Sequence, residues 1–390
     1  MVLPRPRRLS GIDMAPAEPD TSELGATMTS GGVQISKTRG LTVDGNRHGA
    51  ITREDLKFAP GALGAGACST VRLARHRRTD ERYAVKLFAI FDENKRRQLV
   101  EEIRALFCLD CAALVQFHGA YLDGATGKVG VVLDFMDGGS VEGLIQERRS
   151  LRASPGDPFG GALPEHACAA ILYQCCWGLG YLHFERRLHR DVKPGNILLS
   201  SRGEVRLSDF GISKALTDEE ESAKTMVGTF RYMAPERLRG AAYAFESDVW
   251  AAGMVLLELL RGDDVFPPAC TPLDLNGACE RLARDFVAEK LDGIAVSRDA
   301  VDFAEACLRR RADDRALPDA LLGGPWLAGA TLGGCCATLA PVLATHARAV
   351  AAARPPAPER ASSTFAADLS LIQTLDASSD DEGDEATVEG

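Results

Sequence analysis

The sequence predicts a mixed α+β fold of two lobes, a small β-rich lobe followed by a larger helical one. Three observations carry this expectation. Short β-like runs surround a glycine-rich turn between about residues 56 and 88. A continuous apolar run at 129–135, Val-Gly-Val-Val-Leu-Asp-Phe, reads as a buried strand. After about residue 140 helical periodicity dominates, at 165–184, 245–261, 298–310 and 317–322. Strands first and helices second argue for segregated layers, hence two lobes sharing a cleft.

Residues 1–54 are rich in Gly, Ser, Thr and Pro, lack sustained periodicity, and are expected to form a disordered N-terminal extension. The folded body is expected over 55–327, with its small lobe at about 55–136 and its large lobe at about 137–327. In the small lobe the β-like run Arg82-Tyr-Ala-Val-Lys-Leu-Phe88 is followed by a helical pattern with Leu99, Ile103 and Leu106 on one face. In the large lobe the stretch 150–163, with Pro155, Pro158 and three glycines, reads as an inserted loop. Residues 328–390 are expected to be a mostly disordered tail, acidic at its end. Within it, Ala337 to Ala352 has helical composition, Pro355, Pro356 and Pro358 stop it, and 363–375 carries the apolar residues of a short partner-binding helix.

The chain has 390 residues, 45% of them hydrophobic and 26% charged, enough to bury a core without disulfides or metal staples. Most of the net charge of −10 sits in the segment Asp376 to Gly390, which holds seven acids and no base. The body is close to neutral, which argues against nucleic acid as a partner. No run approaches the roughly 18 apolar residues of a membrane span, so no membrane partner is expected. Arg5, Arg7 and Arg8 precede the first acid, but Pro4 and Pro6 interrupt any amphipathic helix, and no targeting segment is expected. The 11 cysteines include a single CxxC, at Cys108 and Cys111, without a second pair at zinc-like spacing. They read as reduced thiols in a cytosolic or nuclear protein.

Leu63-Gly-Ala-Gly-Ala-Cys-Ser-Thr-Val71 opens the set of residues that carry chemistry. Gly64 and Gly66 allow a close backbone approach to phosphates, and Ser69 stands where a third glycine would complete G-x-G-x-x-G. Lys86 follows Val71 by fifteen residues, at hairpin spacing, and its ammonium suits phosphates as a point charge. A carboxylate must hold it. Glu102 and Glu101 are the two candidates, a hundred degrees apart on the helix, so only one can face Lys86. Next come Leu188-His-Arg-Asp-Val-Lys-Pro-Gly-Asn-Ile-Leu-Leu199, Ser208-Asp-Phe-Gly211 and Met233-Ala-Pro-Glu236.

In this order and at these spacings, the motifs resemble the protein-kinase signature set over roughly residues 55 to 327. The resemblance implies the bilobal protein kinase fold, with one regulatory helix in the small lobe, and phosphoryl transfer from Mg-ATP. Phosphoryl transfer requires charge neutralisation and an in-line arrangement of oxygens. The resemblance makes Asp191 the acceptor of the substrate hydroxyl's proton, and gives Lys193 contact with the transferred phosphate. Asn196 and Asp209 become the Mg²⁺ ligands. Asp248, in Ser247-Asp-Val-Trp250, would brace the catalytic-loop backbone, and Glu236 would pair with Arg315. The implied nucleotide contacts are Leu63, Gly64, Ala65, Gly66, Ala67, Cys68, Ser69, Val71, Ala84, Lys86, Leu133, Met136, Ser140 and Leu198. Leu133 would stand at the back of the pocket, and Met136 would offer its backbone to adenine. Leu106, Phe117, His189 and Phe210 would form an apolar column joining the lobes.

Within the kinases, Phe135-Met-Asp-Gly-Gly-Ser140, Ser201-Arg-Gly-Glu204 and Val227-Gly-Thr-Phe-Arg-Tyr-Met-Ala-Pro-Glu-Arg-Leu238 are similar to MAP kinase kinases. Lys95-Arg-Arg-Gln-Leu-Val-Glu-Glu-Ile-Arg-Ala-Leu106 resembles their plant-type branch and sets Glu102 as the partner of Lys86. Membership implies dual specificity: Ser/Thr and Tyr hydroxyls, in the activation loop of a MAP kinase substrate. It also implies an upstream MAP kinase kinase kinase as activator and a cytoplasmic location, with the nucleus as a further compartment. The alternatives are a Ser/Thr kinase one tier higher and a non-catalytic signalling scaffold. In the activation segment Thr225 matches the second regulatory hydroxyl of the family, while Glu219 falls at the first. Ser222 and Thr217 are the substitute hydroxyls, and Thr229 is expected to bond Asp191 and Lys193. Arg5 to Met14 resembles a MAP kinase docking peptide, and Ser378-Ser379-Asp-Asp-Glu382 an acid-directed phosphorylation site.

Overall fold

The computed structural model describes residues 27–30, 33–36, 40–43, 46–47, 51–65, 69–89, 93–151, 162–210, 230–267, 270–279, 281 and 283–353. Gly66, Ala67 and Cys68, the activation-segment residues Thr217, Glu219, Ser222, Thr225 and Thr229, the docking peptide and the acidic tail lie outside them.

The small lobe is built on a six-stranded sheet. It comprises β5 (Leu56–Phe58), β6 (Gly64–Ala65), β7 (Ser69–His76), β8 (Arg82–Phe88), β9 (Phe117–Asp123) and β10 (Lys128–Asp134). The order is β5-β7-β8-β10-β9, with β6 paired to β7, and each of these neighbouring pairs is antiparallel. Short antiparallel connections join β7 to β8 and β9 to β10, while the excursion through α1 and β9 brings β10 in beside β8. Between β8 and β9 runs α1 (Glu93–Phe107), whose Leu99, Val100, Ile103 and Leu106 are buried against the sheet.

Residues 27–47 correct the expectation of disorder. They form a separate four-stranded antiparallel sheet, β1 (Thr27–Ser30), β2 (Val33–Ser36), β3 (Gly40–Val43) and β4 (Asn46–Arg47). Its strands are too short to produce a clear period, and the sequence around them has the glycine-rich, polar composition that suggested a tail. Val33, Ile35 and Leu41 are fully buried in the same core as α1 and β9. Burial of that kind stabilises by about 1.5–3 kcal/mol per side chain, which is what holds such short strands.

The large lobe is helical: α2 (Val141–Leu151), α3 (Glu165–Phe184), α4 (Pro235–Leu238), α5 (Phe245–Arg261), α6 (Pro272–Cys279), α7 (Ala283–Lys290), α8 (Arg298–Cys307), α9 (Pro318–Leu322) and α10 (Leu332–Ala353). α3 and α5 are buried on nearly all sides and form the centre of the lobe. α5 ends at Gly262, whose φ of 62° makes it a left-handed C-cap. A two-stranded hairpin, β11 (Ile197–Leu199) with β12 (Val205–Leu207), lies under the cleft.

α10 is the second correction. The tail expected from residue 328 is a 22-residue helix over most of its first part. Cys335, Leu339, Val342 and Leu343 are buried in the main core, and His346 Nε2 lies 2.9 Å from Glu147 Oε2 on α2. Residues through Val350 belong to one unit with the body. Among the described residues no helix is long and apolar enough to cross a membrane.

Candidate active site

The cleft between the lobes collects the polar residues singled out by their motifs. Asp191 follows His189 and Arg190 in a loop whose backbone is fixed from below. Asp248 on α5 is fully buried, and its carboxylate accepts the His189 N–H at 2.9 Å and the Arg190 N–H at 2.8 Å. His183 Nε2 lies 3.1 Å from the same carboxylate, and Tyr243 donates its hydroxyl to the Arg190 carbonyl at 2.8 Å. Arg190 adopts a positive φ of 67°, a strained conformation that these bonds hold in place. Burial pushes the His189 imidazole down from its usual range, favouring the neutral ring.

Asp191 Oδ2 accepts from Asn196 Nδ2 at 2.8 Å and lies 3.0 Å from Lys193 Nζ. Asp191 Oδ1 is buried and has no hydrogen-bond partner among the described residues. Asn196 also donates Nδ2 to the Asp191 carbonyl at 2.8 Å, so its amide nitrogen is committed and its oxygen is the group left for a cation. Ser208 N donates to the Asn196 carbonyl at 2.9 Å, which brings Asp209 alongside. Asp209 has a φ of 60°, again a conformation few non-glycine residues adopt.

Lys86 is buried on β8, and its Nζ meets Asp209 Oδ1 at 2.6 Å. The pair with Glu102 is not among the described contacts. Glu102 is half-buried on α1 while Glu101 is exposed, so the inward register favours Glu102. Burial pushes the Glu102 carboxyl up, and the charges of Arg187 and Arg190 pull it back. The ammonium is thus satisfied by Asp209, and Glu102 sits in the field of the catalytic-loop arginines.

The walls of the cleft come from strand register. Val71 pairs with Lys86, and Ala84 pairs with Leu73 on one side and Leu133 on the other. Gly64 and Ala65 pair back onto Val71 and Thr70, and Leu63 N donates to the Val71 carbonyl at 2.8 Å; Leu63 is exposed at the rim. Ser69 begins β7. Below, Met136 is buried, Ser140 bridges to Leu198, and Gly138 N donates to the Leu199 carbonyl at 2.9 Å. The apolar column is joined at one end, where the His189 and Phe210 rings meet edge-on at 6.0 Å. Arg315, its side chain fully buried, holds Glu236 through two bonds of 2.7 Å.

The protein kinase domain family matches residues 60–327. The chain belongs to the protein kinase family, in its mitogen-activated protein kinase kinase branch. It is 33% identical over 288 residues to mitogen-activated protein kinase kinase 1c of Physcomitrium patens, covering 72% of this chain and 78% of the relative. It is 32% identical over 307 residues to a dual specificity mitogen-activated protein kinase kinase of Drosophila melanogaster, covering 73% of each. It is 34% identical over 269 residues to mitogen-activated protein kinase kinase 3 of Arabidopsis thaliana, covering 68% of this chain and 49% of that protein. The kinase therefore spans about half the length of this Arabidopsis relative.

Sequence reasoning did not single out His183, Tyr243 or Arg187 in this kinase. Each acts through space on a motif residue and carries no spacing signal of its own. The bidentate Glu236–Arg315 pair and the Asp248 brace were both legible.

Proposed function

We propose that this kinase transfers the γ-phosphoryl group of Mg-ATP to Thr and Tyr hydroxyls in the activation loop of a MAP kinase. The observation that carries the reading is Asp191. Its Oδ2 is fixed by Asn196 and Lys193, while the buried Oδ1 lacks a partner among the described residues. A buried acceptor left open costs free energy unless a ligand fills it, and a substrate hydroxyl is the natural donor.

The residues fit the nucleotide and its cation. The Asp209 carboxylate and the Asn196 amide oxygen are the hard oxygen donors Mg²⁺ prefers. When bound, the cation with its nucleotide supplies the transferable group and neutralises charge on it. Val71, Ala84, Leu133 and Leu198 would enclose the base, the Met136 backbone would bond its edge, and Ser140 would border the sugar side. Lys86 would leave Asp209 to grip the phosphates. Asp191 would orient the hydroxyl and take its proton at Oδ1, and Lys193 would hold the charge that accumulates beside it.

The acceptor class rests on the relatives, which are named as mitogen-activated protein kinase kinases. A kinase one tier higher is not favoured by them, and the complete Lys86, Asp191, Asn196 and Asp209 set argues against a scaffold. An upstream MAP kinase kinase kinase is part of the same reading, with Thr225 as its principal target. A cytoplasmic location is supported by nine free cysteines among the described residues. The deciding experiment incubates the purified chain and Mg-ATP with a panel of kinase-inactive MAP kinases and determines the phosphosites. Phosphate on both Thr and Tyr of one activation loop supports the reading; no transfer to any member refutes it.

A further inference from the structure

The N-terminal sheet has no part in the reading above, yet it touches the one element that carries Glu102. α1 packs against β1 and β2, and β9 packs against β2 and β3. The sheet therefore spans from the helix to a strand of the main sheet. Its buried face is made by a short apolar set. Val33 and Ile35 point inward and Gln34 outward on β2, and Ile35 stands directly opposite Leu41 on β3. Val33, Ile35 and Leu41 are all fully buried, in the same core as Leu99, Val100 and Ile103.

A helix of 15 residues is marginal in water without packing on its apolar stripe. α1 takes part of that packing from the main sheet and part from β1–β4. Glu102 lies between Val100 and Ile103, so a small rotation or tilt of the helix relocates its carboxylate. In this structure Lys86 is held by Asp209, and Glu102 is half-buried on α1 and feels the charges of Arg187 and Arg190. Bringing Glu102 to Lys86 requires α1 to move as an intact lever and not to fray.

We propose that the β1–β4 sheet is a positioning element for α1, and that Val33, Ile35 and Leu41 are positioning residues which keep the helix a rigid carrier for Glu102. The proposal rests on the kinase reading for the role of Glu102. It gives residues 27–47 a catalytic consequence without contact with substrate or nucleotide.

The test uses the full chain with Ile35→Ala and Leu41→Ala, and the conservative Ile35→Val and Leu41→Met. Steady-state phosphorylation of a kinase-inactive MAP kinase gives kcat and KM for ATP. Amide hydrogen exchange gives the protection of 97–107 in α1 and of 249–260 in α5. The expected result for each alanine variant is a fall in kcat on the order of tenfold, with KM for ATP changed less than about twofold. Exchange should rise in α1 and not in α5, and the conservative variants should restore both. Unchanged kcat with faster sheet exchange overturns the proposal. So does faster exchange in α5 together with a kcat loss equal to the unfolded fraction, which is a stability effect only. If the unmodified chain phosphorylates no MAP kinase, the kinase reading fails by itself. The sheet's hold on α1 is then decided by the exchange data, and unaltered exchange of 97–107 refutes it.

Discussion

Asp191 holds two different oxygens in one carboxylate, one tied down and one open. Asp191→Asn keeps the size and the bond to Asn196 but removes the proton acceptor. Turnover should fall by about 10²–10⁴-fold while binding of a fluorescent ATP analogue stays near that of the unmodified chain; phosphoryl transfer at the original rate would show that Asp191 is not the base. A second residue-scale consequence concerns Glu258, buried on α5, which accepts the Tyr232 hydroxyl at 2.9 Å. Burial pushes its carboxyl up from 4.5 to about 7, against the hydrogen bonds of Tyr232 and the Val265 N–H; Asp264 pushes the same way as burial and Arg231 the opposite way. The folded state thus holds a proton that the unfolded chain has already released above about pH 4.5. Stability from this group is full below that pH and is lost as pH rises through about 7. Glu258→Gln should flatten the fall in melting temperature between pH 5 and 8, and an unchanged slope in a thermal melt series would remove Glu258 as its cause.

The elements show what a sequence can and cannot reveal. β8, α1, α3 and α5 were legible because each is long enough for its period to appear: Leu99, Ile103 and Leu106 declare one helix face, and Arg82 to Phe88 declares a strand. The segment from Leu188 to Leu199 stood out for another reason, since its motif is defined by residue types and spacing and not by a period. β1–β4 were not legible, because strands of two to four residues fit no period. α10 was half-legible: its alanines suggested a helix, but its docking depends on a distant glycine. Gly203, in the turn between β11 and β12, has a φ of 82°, and a Cβ there would meet the Cys336 carbonyl and stand 2.8 Å from the Ala340 nitrogen. Gly203→Ala should therefore loosen α10 and destabilise the fold by roughly 1–3 kcal/mol. Urea unfolding with amide exchange of 335–346 checks this; equal stability and equal protection would mean that the turn can yield. The expected Lys86–Glu102 contact was a reading of family pattern, and the pattern does not encode which partner α1 serves at a given moment.

At the scale of the molecule, the two lobes meet at a site that should be stabilised by its ligand. Mg-ATP at a hundred times its dissociation constant should add about 2.7 kcal/mol to the folded state, and a chelator should remove most of it. A melting temperature indifferent to nucleotide and to chelator, in scanning fluorimetry, would contradict the assignment of this cleft. The pairing of Lys86 with Asp209 adds a condition to that binding. Ligand entry is an exchange of counter-ions: the ammonium passes from carboxylate to phosphate as the incoming cation takes the carboxylate. A single buried lysine therefore links the order of the two arrivals, and nucleotide alone must pull Lys86 off an anion that nothing yet replaces. Lys86→Met should consequently loosen the grip on the phosphates while leaving the Asp209 carboxylate without the ammonium that the cation must otherwise displace.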